Sequence, residues 1–336
     1  MKYQLIAAVS AVMIAVTAFA QPVHDPVAAQ YNGVWYVFST GFGVSIISSK
    51  DMNTWEYSGQ VFKTPPQWAA DSVPGFRGHI WAPDILLHNG TYYLYYSCSS
   101  FGKNTSAIGV ATNSTLDPSS SDYKWVDHGC VVNSVAGRDN WNAIDPNAFI
   151  DTDGTAWLTF GSFWSGIKLV KLDASLTRVA EPQEWYPVCR RPEGTAKDTS
   201  KSDSAIKADP RGSDFDPGNG AVEAPFIVRR GSYYYLFASY DLCCRGANST
   251  YKVIVGRSDK VTGPYVDAAG VPLMKGGGTV VVSGNSRYPG VGHCAVVASG
   301  DRDLLFFHGY DKESNYDSRL LVRTITWEQG WPVVRL

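Results

Sequence analysis

Residues 222–240, VEAPFIVRRGSYYYLFASY, contain two apolar runs that are separated by the polar segment RRGS. Residues 226–228 and 233–237 have the β-branched and aromatic composition that is typical of strands. Pro225 lacks the N–H that a sheet ladder requires, so it fits the first residue of a strand. The pattern predicts a β-hairpin, with Glu223 lying just before its first strand.

The same pattern occurs five times along the chain, each time as a short strand, a polar turn and an aromatic strand. The copies are about 56–78 residues apart, which is longer than the roughly 40–45 residues of the commonest propeller repeat. Such repeats predict an all-β fold, a β-propeller, whose inner strands meet at one axis. We therefore expect one central, funnel-shaped site formed by the residues that begin the inner strands. These are Asp25, Trp81, Asp145, Glu223 and His293.

Composition and charge limit the classes of partner. Charged residues make up 18% and aromatic residues 13% of the 336 residues, which argues against disorder and for a large ordered core. The formal net charge of −2 gives no reason to expect a nucleic acid or an anionic membrane as partner. We expect a single propeller domain over residues 21–336 that acts on a neutral polymer or a small molecule.

Residues 1–20 have the features of a signal peptide. Lys2 is followed by an apolar run that ends in Ala18-Phe19-Ala20, an A-x-A cleavage motif. The alternative is an uncleaved anchor, but the run is short for a membrane span, and the rest of the chain contains none of that length. The sequence predicts cleavage after Ala20 and a secreted or periplasmic protein.

Six cysteines lie in the predicted mature chain, and an even number in an exported protein permits disulfides. Their spacing does not match a zinc site. Cys243 and Cys244 are adjacent, so they could form a disulfide only across a strained peptide bond. The alternative is a pair of free thiols, and the sequence does not decide between the two.

Three of the residues at the predicted axis are acids, namely Asp25, Asp145 and Glu223. Hydrolysis of a glycosidic bond uses one protonated carboxyl as general acid and one ionised carboxylate as base or nucleophile. A third carboxylate nearby raises the pKa of the acid by like-charge repulsion. A single Asp-Pro pair is a common start of a strand, but three acids at one repeat position favour a catalytic site.

At this level of detail the chain resembles glycoside hydrolase family 43 and, within it, the endo-1,5-α-L-arabinanases. The resemblance extends over the whole predicted mature chain and rests on several separate stretches of sequence. These include HIWAPDI (79–85), AIDPNAF (143–149), GSFWSGIKL (161–169), VEAPFIVRRGSYYYLFASYDLCCRG (222–246) and GVGHCAVV (290–297).

The resemblance implies a five-bladed β-propeller and inverting cleavage of internal α-1,5-L-arabinofuranosidic bonds of arabinan. Asp25 matches the family's general base, Glu223 its general acid, and Asp145 the acid that tunes and orients Glu223. The resemblance also implies a monomeric enzyme without an organic cofactor. His293 matches a histidine that binds a metal at the axis, most often calcium, mainly through water. The alternative for His293 is a hydrogen-bonded core residue, since calcium prefers oxygen ligands.

Five further residues are candidates for sugar binding. Trp81 and Phe101 match aromatic positions that line the groove of the family, and Asn147, Ser162 and Trp164 are candidate polar and platform groups. Core packing is the alternative for each aromatic side chain.

Other functions remain as rivals at this point. They are an exo-acting arabinanase, an α-L-arabinofuranosidase or a β-xylosidase of the same family, and a non-catalytic sugar-binding propeller.

Three features depart from the family pattern. Few residues of the predicted mature chain precede Asp25, so we expect residues 320–336 to supply a strand of the fifth blade. The polar loop 194–220 is longer than the family pattern, and Val291 stands where we expect proline.

Overall fold

The computed structural model describes residues 22–192 and 220–336. The predicted signal peptide lies outside the described residues, as does the predicted loop 194–220 except for Gly220. No helix within the described ranges is long and apolar enough to cross a membrane. The helical segments of these two ranges are the short helix α1 (Gln67–Ser72) and the 3₁₀ turns Gly246–Asn248, Leu273–Lys275 and Lys312–Ser314.

The strands form five antiparallel sheets that follow one another along the chain, which confirms the five-bladed β-propeller. Each blade contains four consecutive strands, except that the short β3 of blade 1 pairs with the inner strand of blade 2. Blade 1 contains β1 (Val27–Tyr31), β2 (Val34–Ser39), β4 (Ser45–Ser49) and β5 (Glu56–Gln60), with β3 at Gly41–Phe42. Blade 2 contains β6 (His79–His88), β7 (Thr91–Cys98), β8 (Ser106–Asn113) and β9 (Val126–Ser134). Blade 3 contains β10 (Asn147–Ile150), β11 (Ala156–Phe160), β12 (Ile167–Lys171) and β13 (Trp185–Cys189). Blade 4 contains β14 (Val222–Arg230), β15 (Tyr233–Tyr240), β16 (Lys252–Ser258) and β17 (Thr279–Ser283). Blade 5 contains β18 (Val291–Ser299), β19 (Arg302–Asp311), β20 (Asp317–Glu328) and β21 (Trp331–Val333).

The second strand of a blade is buried on both faces, which explains its continuous apolar sequence. In β7, Leu94 and Tyr96 pack in the cluster between blades 1 and 2, whereas Tyr95 packs in the cluster between blades 2 and 3. All three side chains are fully buried. Because successive side chains of a strand point to opposite faces, one aromatic strand supplies the core on both of its sides.

Packing and hydrogen bonds join blade 5 to blade 1, and one of these bonds runs between backbone groups, from Val23 N to Ser318 O (3.1 Å). Leu304 and Phe306 of β19 pack against Trp35 and Val37 of β2. Blade 5 is complete from its own strands, and most of β20 and all of β21 lie in the segment 320–336 that we expect to contribute.

Candidate active site

Near the start of the inner strand, the backbone has the same unusual conformation in all five blades. One residue at this point has a positive φ of 41–58°, which is costly for any residue except glycine. In four blades the next residue is proline, and in blade 5 it is Cys294. The residues with positive φ are Asp25, Ala82, Asp145, Ala224 and His293.

This register corrects the alignment that the sequence predicted. Trp81 and Glu223 each lie one residue before the positive-φ position, so the three acids do not occupy one repeat position. The prolines Pro83 and Pro225 carry the signal that would have given the true register. The position that Trp81 and Glu223 share corresponds to His24 in blade 1, a residue that the sequence reasoning did not assign to the site.

A closed ring of hydrogen bonds connects these positions around the axis. Each positive-φ residue donates its backbone N–H to a side chain of the preceding blade, and blade 5 provides the acceptor for blade 1. The bonds are Ala82 N to Thr40 Oγ1 (2.8 Å), Asp145 N to Ser97 Oγ (3.0 Å), Ala224 N to Asp145 Oδ2 (3.2 Å), His293 N to Ser239 Oγ (2.9 Å) and Asp25 N to His308 Nδ1 (3.1 Å).

Blade 3 deviates from this ring in an informative way. The acceptors Ser97, Ser239 and His308 lie opposite the residue before the positive-φ position, and in blade 3 that place is taken by Gly161. Glycine has no side chain to accept a hydrogen bond, and the carboxylate of Asp145 accepts the bond instead. Asp145 therefore holds the backbone next to Glu223.

Three donors hold the carboxylate of Asp25. Thr40 Oγ1 donates to Oδ2 (2.6 Å), His24 Nδ1 lies 2.8 Å from Oδ2, and His293 Nδ1 lies 3.0 Å from Oδ1. Burial alone would raise the pKa of Asp25, but the charges and hydrogen bonds of the two imidazoles hold it well below its usual value. Asp25 is thus ionised at neutral pH.

Glu223 and Asp145 have the opposite tendency. Burial, and then negative charge on Cys244, raise the pKa of Glu223. Burial also raises the pKa of Asp145 well above its usual value, and the charges of Glu223 and Asp25 add to this although His293 opposes it. Ser162 donates to Glu223 Oε2 (2.8 Å). One ionised and one protonated carboxyl in one site are what acid–base hydrolysis of a glycosidic bond requires.

The predicted sugar-binding residues occupy different environments. Trp81 is partly exposed and donates from Nε1 to His79 (2.9 Å), and Phe101 is 82% exposed in the loop after β7. Trp164 is only 9% exposed, which leaves little of its ring for stacking, and the hydroxyl of Ser162 is bonded to Glu223.

Asn147 needs a correction. It is 3% exposed, its amide nitrogen donates to Asp84 Oδ1 (3.3 Å), and its amide oxygen accepts from Ile227 N (2.8 Å). Both ends of the amide therefore connect neighbouring blades. We remove Asn147 from the groups that would contact a sugar.

The residues around His293 would offer a metal ion few protein ligands. Nδ1 bonds to Asp25, and no described residue bonds to Nε2, so the protein would offer a cation one nitrogen here. A calcium ion prefers six to eight oxygen ligands and would have to keep most of its water. Among the described residues, one group of three ligand atoms lies close together, in His24, Asp25 and His308. In this group, Nδ1 of His24 and Nδ1 of His308 are already hydrogen-bonded to Asp25.

Comparisons with known proteins place the chain in one family. The family model described as glycosyl hydrolases family 43 matches residues 18–332. The chain is 48% identical to the extracellular exo-α-(1→5)-L-arabinofuranosidase ArbA of Cellvibrio japonicus (strain Ueda107), over 93% of this chain and 86% of that protein. It is 39% identical to the extracellular endo-α-(1→5)-L-arabinanase 1 of Bacillus subtilis (strain 168), over 92% and 86%. The crystal structure of an exo-1,5-α-L-arabinanase from a bovine ruminal metagenomic library is similar with a TM-score of 0.84 and 46% identity, covering 94% of this chain and 97% of that one.

Proposed function

The chain belongs to glycosyl hydrolases family 43 and is a glycoside hydrolase of the arabinanase type, and on this premise we propose that it cleaves α-1,5-L-arabinofuranosyl bonds of arabinan with inversion. The observation that carries the proposal is the pairing, in one buried site, of Asp25, whose pKa is held well below its usual value, with Glu223, whose pKa is raised. A water molecule would be activated by Asp25 while Glu223 protonates the leaving oxygen.

The hydrogen bonds of Asp25 indicate which of its oxygens would act as base. Each carboxylate oxygen has about two lone-pair sites. Oδ2 already accepts from Thr40 and His24, whereas among the described residues Oδ1 accepts from His293 alone, since His308 Nδ1, 3.8 Å away, is itself an acceptor. We propose that Oδ1 takes the proton from the attacking water, because it retains a free acceptor site.

An aryl α-1,5-arabino-oligosaccharide tests the two roles separately. Its leaving group needs no proton, so Glu223→Gln should retain far more activity on this substrate than on arabinan, while Asp25→Asn should lose about 10²–10⁴-fold on both. Proton NMR of the first product should show the β-anomer. A retained α-anomer would show that Asp25 is a nucleophile and not a base.

Two modes of action follow from the similarities. The relatives with 48% and 46% identity carry exo names, so we propose cleavage from chain ends. Internal cleavage, which the resemblance to the endo-1,5-α-L-arabinanases implies, is the second candidate and is favoured by the 39% identical endo-arabinanase. Chain-end cleavage of a long arabino-oligosaccharide gives one short product from the first minute, whereas internal cleavage gives a mixture of lengths that later shortens.

We retain a single cation, calcium, as a proposal limited to Nε2 of His293, with water filling the rest of its shell. When bound, such an ion would help keep Asp25 ionised. The imidazole of His293 already supplies positive charge, because Asp25 and then Asp145 and Glu223 outweigh the effect of burial and raise its pKa to about 8. Elemental analysis and pH–rate profiles before and after chelation distinguish a bound cation from the His293 imidazole as the source of positive charge. An unchanged acidic limb after complete metal removal would contradict a role for the cation.

Export and a monomeric state complete the proposal. Two relatives are named extracellular, and the predicted signal peptide agrees with secretion. Mass spectrometry of protein from the medium or periplasm should find a chain beginning after Ala20, and light scattering should give the mass of one chain.

A further inference from the structure

Two thiols lie beside the proposed catalytic pair and have no part in the proposed hydrolysis. Cys243 and Cys244 lie in the segment after β15, which returns to the face of the propeller on which the inner strands begin. All six cysteines are described, and all six are free. Cys98, Cys189 and Cys294 are buried, whereas Cys244 and the distant Cys130 are exposed.

Short contacts connect Cys244 to the proposed base. Its sulfur lies 3.7 Å from His24 Nε2, and its N–H donates to Tyr310 Oη (2.7 Å), which is itself 2.9 Å from the same Nε2. The other nitrogen of His24 lies 2.8 Å from Asp25 Oδ2. A chemical change at the Cys244 sulfur therefore occurs one side chain away from Asp25.

Cys243 completes a reactive arrangement. Cys243 directly precedes Cys244 in the chain, and hydrogen bonding with Cys244, followed by burial, raises the pKa of the Cys243 thiol well above its usual value. This bond and the His24 imidazole lower the pKa of Cys244 to about 5, although burial opposes the shift. A low-pKa thiol of an exposed residue, beside an imidazole and next to a second cysteine, is the environment of a thiol that attacks disulfides.

We propose that Cys243 and Cys244 form a redox modification site that is oxidised reversibly by small organic disulfides. The Cys244 thiolate attacks a reagent RS–SR, whose S–S bond breaks and releases RS⁻. The Cys243 sulfur, losing its proton, then attacks the Cys244 sulfur of the mixed disulfide and releases the second RS⁻. The protein loses two electrons and the reagent gains them as two thiols.

Reversibility follows from the geometry of adjacent residues. A bridge between neighbouring cysteines is strained, and strained or exposed disulfides are the labile ones.

Oxidation removes the negative charge of Cys244 from the surroundings of Glu223 and His24. Because that charge helps to raise the pKa of Glu223, the basic limb of the activity profile should move to lower pH.

The experiment treats the reduced full chain with 2-hydroxyethyl disulfide near pH 7. Peptide mapping should show that the peptide containing both residues loses two hydrogen atoms and that Cys130 reacts more than about tenfold more slowly, because desolvation raises the pKa of Cys130 to about 11. Arabinan hydrolysis on the basic side should fall about threefold or more, which corresponds to roughly half a pKa unit, and should return with dithiothreitol.

Variants separate the two sulfur atoms. Cys243→Ser should stop at a stable mixed disulfide on Cys244, Cys244→Ser should not react in this peptide, and Cys130→Ser should behave as wild type. Preferential reaction at Cys130, or a stable adduct on Cys244 in the wild type, would overturn the proposal. The activity readout rests on the proposed function, but peptide masses do not, so failure of one is distinguishable from failure of the other.

Discussion

Nδ1 of His308 accepts a hydrogen bond from the backbone N–H of Asp25 at 3.1 Å, and this bond connects the fifth blade to the first. His308 is fully buried, and its ring stacks on His24 with centroids 4.0 Å apart. Burial and then the charge of His24 hold the pKa of His308 well below its usual value, so the ring is neutral and Nδ1 is free to accept. The same residue thus joins two blades and positions the proposed base.

His308→Leu should lower kcat by about tenfold or more and reduce stability, because it leaves the buried N–H of Asp25 without an acceptor at a cost of about 1–3 kcal/mol. His308→Asn should recover most of both, since its amide oxygen replaces Nδ1. Kinetics and urea unfolding measure the two effects. Equal losses in both variants would argue against the hydrogen bond as the cause.

His24→Gln should move the acidic limb of the kcat/KM profile to higher pH. The imidazole of His24 helps to hold the pKa of Asp25 low, and a neutral amide supplies less of that stabilisation to the ionised form. Because Asp25 acts only when ionised, activity should then be lost at a higher pH as the solution is acidified. His88→Gln is the control and should leave the limb in place, because His88 lies at the end of β6 away from Trp81 and its ring contacts Asn89.

Ser162→Ala should move the basic limb of the kcat/KM profile to higher pH. The hydroxyl of Ser162 bonds to Glu223 and favours its ionised form, so its removal raises the pKa of Glu223 further. The general acid then stays protonated to a higher pH. Ser165→Ala, which lies in the same loop and bonds to Asn140, is the matched control. A downward shift in Ser162→Ala would contradict the role of Glu223 as the acid.

Trp81→Ala should weaken cleavage of arabinan, mainly through a higher KM, if its partly exposed ring stacks on the sugar. Trp81→Phe should retain a stacking face and recover part of the loss. Unchanged kinetics in Trp81→Ala, with normal thermal stability, would assign this side chain to neither binding nor packing.

Leu94→Ala should destabilise the protein by about 2–5 kcal/mol, because Leu94 is fully buried between blades 1 and 2. Leu87→Ala in the adjacent strand is the control, since Leu87 is 56% exposed and its loss should cost little. Denaturant unfolding monitored by tryptophan fluorescence measures both. Similar values for the two variants would contradict the interblade packing.

The blades were predictable because their signal is local. Leu94, Tyr95 and Tyr96 are consecutive apolar residues that can all be buried only in a strand with packing on both faces. The sequence pattern misses the register of the inner strands by one residue at Trp81 and Glu223, because it aligns these two side chains with Asp25 and Asp145 and does not align the prolines.

The remaining features depend on contacts between distant blades. Ser97 and Ser239 look like ordinary polar residues in apolar strands, and their role exists only when the next blade brings an N–H to them. His24 and Cys244 are 220 residues apart and meet only after the propeller has closed. No local pattern in the sequence encodes such a contact.

The ring of five backbone N–H groups has a consequence for the dynamics of the protein. Each of these protons is protected by a side chain of another blade, so its exchange with deuterium reports on the opening of a seam and not of a sheet. If the ring opens as one cooperative unit, the five amides should exchange with one common free energy. Weakening of the seam at Asp25 and His308 would then accelerate exchange as far away as Asp145, on the other side of the axis.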